Sequence, residues 1–333
     1  MKLTGKIDGR EVHEAVLESA EARLHILSYG AVIREWRVGP REVPVTLGFR
    51  DVADYPEHSR YFGAVVGRVA NRIADGRFRL DGQEIVLPVN NGPNHLHGGP
   101  RGLGKTVWEM EADGDRAVRL SYLSPDGDQG YPGAVVFSVT YRLSGTRLTC
   151  EMAGRPDRPT PINMAHHNYY TLGAIGGIRD LRLQMDVDRY LPVNETQIPT
   201  GELASVDGTR FDFRAARTLW EADPEGLGID HCLVFRDGRD PTEPAARLRS
   251  DETGLGLSLW TEEPGVQLFD AHPFEIARPG LSGERLGPYC GLCLEAQHFP
   301  DAPNQPHFPS IIRTPENPYF QRLVVDISES AGR

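Results

Sequence analysis

Cysteine is scarce in this chain. The four copies in 333 residues, Cys150, Cys232, Cys290 and Cys293, are too few and too scattered to staple a disulfide scaffold. Cys290 and Cys293 form a CxxC, but three places apart on a strand they point to opposite faces, and no second CxxC completes a four-ligand zinc site. They read as reduced thiols. No uninterrupted apolar run approaches the ~20 residues that span a bilayer, and the opening MKLTGKIDGREVHEAV has no apolar signal core. No membrane partner is expected, and the expected compartment is the cytoplasm. Basic charge is also short: 36 Lys and Arg against 47 Asp and Glu leave a net charge of -11, which repels nucleic acid and anionic lipid. A GxSxG serine elbow is missing, and no cysteine has an evident activating neighbour. Long helical periodicity, internal repeats, Ser/Gly-rich linkers and charge runs are all lacking.

What fills the chain is period-two alternation. Phe78 and Leu80, then Asp81-Gly82, then Ile85 and Leu87 predict a hairpin with a tight turn. Val135, Phe137, Val139, Tyr141 and Leu143 alternate with small or polar residues. Ser144-Gly145-Thr146 then turns the chain, and Leu148, Cys150 and Met152 continue the pattern. Leu181, Leu183, Met185 and Val187 predict a further one-sided strand. With 36 glycines and 26 prolines to supply turns, the pattern predicts one all-β, antiparallel, sandwich-type domain over residues 1–333. Gly99 to Thr106 satisfies the phosphate-loop pattern GxxxxGK[ST], yet TVWEMEA after it alternates as a strand, and without a helix the match is coincidental.

The chemistry centres on Tyr289 to Pro309, YCGLCLEAQHFPDAPNQPHFP. Glu295 and Gln297 share one face of a strand that stops in a proline-rich loop, a rigid mount for a carboxylate base. Four more polar clusters interrupt the strands. Arg68, Asn71 and Arg72 lie in a Gly-flanked turn and offer many donors for hydroxyls or anions. Asn94-His95-Leu96-His97-Gly98-Gly99 carries two histidines that would share a face if extended. They form at most half a metal site, and His97 reads better as a pocket donor. His166 and His167 are adjacent, so only one can serve a given pocket. Asp230 of GIDH and Gln267 of PGVQ complete the set. With Tyr169, Phe269 and Phe299 nearby, this is the inventory of a monosaccharide site: many hydrogen-bonding groups and apolar faces for a ring.

GRVANRI, NHLHGG, NMAHHNYYTL, GIDH, EPGVQ and LEAQHFPDAPNQPHFPS, in that order from about residue 28 to 320, resemble the aldose 1-epimerases, also called galactose mutarotases. The resemblance implies a large antiparallel β-supersandwich. It implies Glu295 as catalytic base, His167 as catalytic acid, and Asn71, Arg72, His97, Asp230 and Gln267 as sugar-binding residues. No metal or other cofactor is implied, and the partner is a free monosaccharide, with a monomer or homodimer as the assembly. Two departures stand out: Thr171 where the family often has Asn, and Phe269-Asp270-Ala271-His272-Pro273 where it often has Tyr-Thr-Gly-Asn. The second leaves the preferred sugar open. Two competing readings remain. One is a non-catalytic sugar sensor. The other is a glycoside hydrolase, pairing Glu295 with Asp230 or Asp301 roughly 5 to 9.5 Å away.

Overall fold

A computed structural model describes residues 1–39, 43–114 and 116–329; the remainder of the expected 1–333 unit lies outside the described residues. Strands dominate, and the two α-helices among the described residues, Tyr55–His58 and Leu219–Ala222, are each one turn long. No described helix is long and apolar enough to cross a membrane.

The largest sheet has nine antiparallel strands. From one edge they are Glu109–Ala112, Ala117–Ser124, Val135–Ser144, Arg147–Pro156, Tyr319–Glu329, Leu255–Thr261, Ala246–Arg249, Arg182–Met185 and Arg217–Thr218. A six-stranded sheet faces it, in the order Tyr169–Tyr170, Leu292–Gln297, Gly265–Phe269, Asp230–Phe235, Val187–Tyr190 and Ala204–Ser205. An N-terminal four-stranded meander, Lys2–Ile7 to Ile33–Val38, flanks them. Val135, Phe137, Val139, Tyr141 and Leu143 point inward with Leu148, Cys150 and Met152 of the next strand, as their alternation predicts. They meet Leu233, Val266, Leu268, Leu292 and Leu294 of the six-stranded sheet in the main core. Burial of these aliphatic and aromatic groups is the chief favourable term, at roughly 25 cal/mol per Å² of apolar surface.

Local turn chemistry also follows the sequence. Arg77–Leu80 and Gln83–Val86 pair across Asp81 (φ 49°) and Gly82 (φ 79°), the left-handed pair that a two-residue hairpin turn requires. The stretch 181–187 departs from expectation. Its alternation is continuous, but the chain changes sheet at Asp186: Arg182–Met185 joins the nine-stranded sheet and Val187–Tyr190 the six-stranded one. Alternation reports facing, not partner, so a sheet switch leaves no trace in it. At the phosphate-loop pattern a single short turn, Leu103–Lys105, leads to the strand Glu109–Ala112, with no helix between.

Arg68 does something sequence reasoning did not anticipate. It is neither at the surface nor free to hold a ligand: it is 2% exposed. Its guanidinium donates to the carbonyls of Pro125, Pro132 and Gly133 and to the carbonyl and hydroxyl of Ser124. One planar fork thus satisfies a loop whose carbonyls would otherwise be buried without donors. Arg68→Met should therefore strand several acceptors and lower the unfolding free energy by about 2–5 kcal/mol in urea titration; a loss under about 0.5 kcal/mol would contradict this role.

Candidate active site

The strand Leu292–Gln297 is buried at every position because both of its faces are covered. Leu292, Leu294 and Ala296 enter the main core. Cys293, Glu295 and Gln297 face the other way, where Cys293 joins Tyr169, Phe62 and Phe274 in a second apolar cluster. Glu295 is consequently 2% exposed rather than a solvated strand residue. Across the ladder it stands opposite Gln267.

Three segments close over this face. Ala165–His167 pairs with Ala64–Val66, placing His167 opposite Ala64. His167 Nε2 is 3.5 Å from Glu295 Oε1, and its Nδ1 lies 3.5 Å from Cys293 Sγ. His166 points to the other side, Nε2 donating to the hydroxyl of core Tyr141 (2.9 Å), whose own proton goes to Ala31 O. The adjacent histidines thus split as strand geometry requires. Arg72–Ile73 pairs with His95–Leu96, and the flanking Asn71 (φ 60°) and His97 (φ 51°) are both left-handed. They lock together: His97 N donates to Asn71 O at 3.0 Å, and Asn71 N donates to His97 Nδ1 at 3.1 Å. A glycine must follow, because a Cβ at Gly98 (φ +81°) would overlap the Gly67 carbonyl.

Asp230, at the start of Asp230–Phe235, accepts from Gln267 Nε2 at 2.5 Å and lies 3.6 Å from Arg72 Nη2. Arg72 Nε in turn donates to Asn91 Oδ1 at 3.0 Å. All seven residues singled out by resemblance therefore border one buried polar region. Others do not join it. Kinking at His97 sends His95 elsewhere, its ring bonded to Pro88 O and the Tyr131 hydroxyl. Asp301 Oδ1 accepts from Ala74 N and Asn304 Nδ2, and Phe299 packs on Phe308 in a separate cluster.

Two residues at the site were not marked by sequence reasoning: Tyr61, and Cys293 as a neighbour of His167. Tyr61 lies near-parallel to His167 (centroids 5.8 Å, 20°) and edge-on to His97 (4.8 Å). Residing in a turn, it has no periodicity that could have flagged it.

Desolvation governs the site's protonation. Burial pushes the Glu295 carboxyl well above its usual range, the Asp230 charge adds to this, and Arg72 opposes it. His167 is driven down to about 3 by burial, with a lesser push from His166. Glu295 Oε2 has no hydrogen-bond partner among the described residues. A buried carboxyl and imidazole in contact hold one proton between them over a wide pH range: two protons leave an isolated cation, none an isolated anion. Burial also keeps His97 neutral. Accepting at Nδ1, that ring carries its proton on Nε2 and presents a donor. Ligating atoms of His97, His167 and Glu295 lie within 4.8 Å of one another, but a metal-binding imidazole donates through its second nitrogen. His97 accepts there, so the trio does not fit a metal.

A rigid carboxyl and imidazole sharing a proton, beside an uncharged donor and a Gln-Asp-Arg network, can move protons on and off two oxygens of a polyhydroxy ligand. Known proteins point the same way. Galactose mutarotase from Sus scrofa is 38% identical over 315 residues, 92% of each chain, and aldose 1-epimerase from Escherichia coli is 35% identical over 295 residues, 85% of each. Among solved structures, an aldose epimerase homologue from C. elegans superimposes with a TM-score of 0.89 at 29% identity, covering 96% of this chain and 100% of that one. Galactose 1-epimerase from Lactobacillus acidophilus gives 0.86 at 28%, covering 99% and 98%. With the aldose 1-epimerase family model matching residues 14–326, the chain belongs to the aldose 1-epimerase family.

Proposed function

We propose that this enzyme interconverts the α and β anomers of a free aldose, with Glu295 as general base and His167 as general acid. The observation that carries the assignment is the 3.5 Å approach of His167 Nε2 to Glu295 Oε1, both of them buried. The Glu295 carboxylate takes the proton of the anomeric hydroxyl while the His167 imidazolium gives one to the ring oxygen. The bond from the ring oxygen to the anomeric carbon breaks, leaving an aldehyde. Rotation about its bond to the next carbon turns the other face to the returning hydroxyl, and reclosure sends both protons back. Nothing is consumed, so no cofactor enters. The environments suit the roles: a carboxylate that resists ionisation is a stronger base, and an imidazolium that resists charging is a stronger acid.

Asn71, Arg72, His97, Asp230 and Gln267 would hold the sugar. His97 Nε2–H is a neutral donor for the oxygen that becomes the carbonyl, and Arg72 steadies negative charge that develops there. Asp230, tied to Gln267, accepts from a ring hydroxyl. Galactose, the sugar printed in the names of several relatives, is the substrate we infer, with glucose or a related aldose as the alternative. Asp270 and His272 in the departing segment (His272 Nδ1 to Asp270 Oδ1, 3.2 Å) are the positions to examine for another preference. The hydrolase reading is disfavoured because the group facing Glu295 is an imidazole rather than a second carboxyl. The sensor reading is disfavoured because binding alone needs no proton-transfer pair. We further infer one working unit across the chain, acting in the cytoplasm as a monomer or homodimer.

Polarimetry on freshly dissolved α-D-galactose tests the assignment. Glu295→Gln should lower kcat by at least ~10³ with sugar binding retained, and His167→Ala by ~10² to 10⁴; near wild-type rates in either would remove that residue from the mechanism. His166→Ala should instead act through stability. The pH profile of kcat should be a broad bell. Activity falls on the acid side when the pair takes a second proton, far below the ordinary imidazole value because His167 is depressed to about 3. It falls on the alkaline side when the last proton leaves, above the ordinary carboxyl range because Glu295 is raised. Limbs at unperturbed values would show that burial does not set the pair. Treatment with EDTA should leave the rate unchanged, whereas loss reversed by Zn²⁺ would restore the metal reading.

A further inference from the structure

The proposed acid is flanked by two tyrosine rings that no proton-transfer step uses. Tyr169 lies 5.0 Å from the His167 ring and Tyr61 5.8 Å, each inclined by only 20°. Both distances fall inside the ~6 Å over which a cation is drawn to the face of an aromatic ring. Tyr169 is an ordinary strand neighbour, two residues on, with its hydroxyl donating to Arg60 O at 2.9 Å. Tyr61 is not ordinary. It and Arg60 are consecutive non-glycine residues with left-handed backbone, φ 67° and 45°, a conformation that persists only where the surroundings impose it. The surroundings do so through the strand pair that carries His167. Ala64 N donates to Tyr61 O at 3.0 Å, and Gly63 N donates to the carbonyl of His167 itself, also at 3.0 Å. A Cβ at Gly63 would overlap the Ile33 carbonyl, so the turn has no room to relax.

We propose that Tyr61 is a positioning residue for the reaction: its ring, stacked on His167, raises the share of the Glu295–His167 pair's single proton that sits on the imidazole. The inference rests on the acid and base assignment above. With one proton in the pair, two arrangements compete: carboxyl with neutral imidazole, and carboxylate with imidazolium. Only the second can start ring opening. Desolvation favours the first, since it carries no charge. An aromatic face stabilises imidazolium and not imidazole, so it shifts the balance towards the reactive form without contacting either oxygen of the sugar. Of the other groups facing His167, only Tyr169 offers a second aromatic face. Cys293 offers a thiol whose burial keeps it protonated, His97 is neutral at 5.2 Å, and His166 is neutral in the core. Lys105, 5.0 Å above the Tyr61 ring, and Arg60 beside it are cations like the imidazolium and do not favour it. Arg72 and Asp230 act on the Glu295 side.

The test is the pH profile of kcat and kcat/KM for galactose in Tyr61→Phe, Tyr61→Leu and a variant with pentafluorophenylalanine at 61. The last keeps the ring's size and reverses its electrostatic face, so it reports even if Tyr61→Leu fails to fold. Phe should match wild type. Leu and the fluorinated ring should lower kcat about tenfold with little change in KM and leave the alkaline limb in place, because the neutral arrangement that dominates the singly protonated pair does not feel the ring's face. An undiminished kcat in the fluorinated variant overturns the proposal. So does a Phe variant as impaired as Leu, which would assign the effect to the hydroxyl, or a rise in KM alone, which would make Tyr61 a sugar contact. If wild type does not accelerate mutarotation, the assignment beneath the proposal fails instead.

Discussion

The desolvation of one carboxyl and one imidazole organises this molecule. Glu295 and His167 are each buried, where an isolated anion or an isolated cation is costly. Their proximity turns that cost into a property, a proton held by the pair and free to sit on either member. Everything around them serves this condition. The strand Leu292–Gln297 is roofed on its polar face as firmly as on its apolar one, and the roof consists of segments in which tight left-handed turns at Asn71 and His97 bring donors close. Asp230 and Arg72 lie 3.6 Å apart and act on Glu295 in opposite directions, with burial the dominant influence.

The architecture explains how so many polar groups can be buried at once. A six-stranded sheet packed on a nine-stranded one secures the core with alternating aliphatic and aromatic side chains, which leaves the outer face of the smaller sheet free for chemistry. Strand register sets the lateral positions: Glu295 opposite Gln267, and Gln267 beside Cys232 two places along from Asp230. Mounting on strands keeps these groups within the tolerance that proton transfer demands. Left-handed non-glycine backbone occurs at several turns of the chain, and Tyr61, Asn71 and His97 are the instances that border the site.

Much of this was legible in the residues, for identifiable reasons. One-sided strands such as Val135–Ser144 bury every second residue, so their alternation is a direct image of the fold, and Asp81-Gly82 announces its turn because few other pairs accept that backbone. The split between His166 and His167 follows from a period of two. Other features leave no local mark. The change of sheet at Asp186 preserves facing and alters only the partner. Arg68 looks like a ligand-binding arginine until the distant carbonyls of Pro125, Pro132 and Gly133 are seen around it. His95 and His97 share a face only in an extended chain, and the left-handed turn at His97 separates them. Tyr61 matters through a contact some hundred residues away in sequence. Long-range packing of that kind can be seen only in three dimensions.

The central claim is that Glu295 and His167 share one proton and titrate as a unit. The direct measurement is NMR of the protein carrying ¹³C at glutamate carboxyls and ¹⁵N in histidine rings, with Glu295 and His167 assigned by substitution, followed from pH 4 to 9. The account predicts that both signals change together in each titration step, with one proton in the pair throughout the neutral range and the imidazolium form gaining weight when galactose binds. Independent titrations near the ordinary carboxyl and imidazole values would contradict it, and would mean that the pair is neither dry nor coupled.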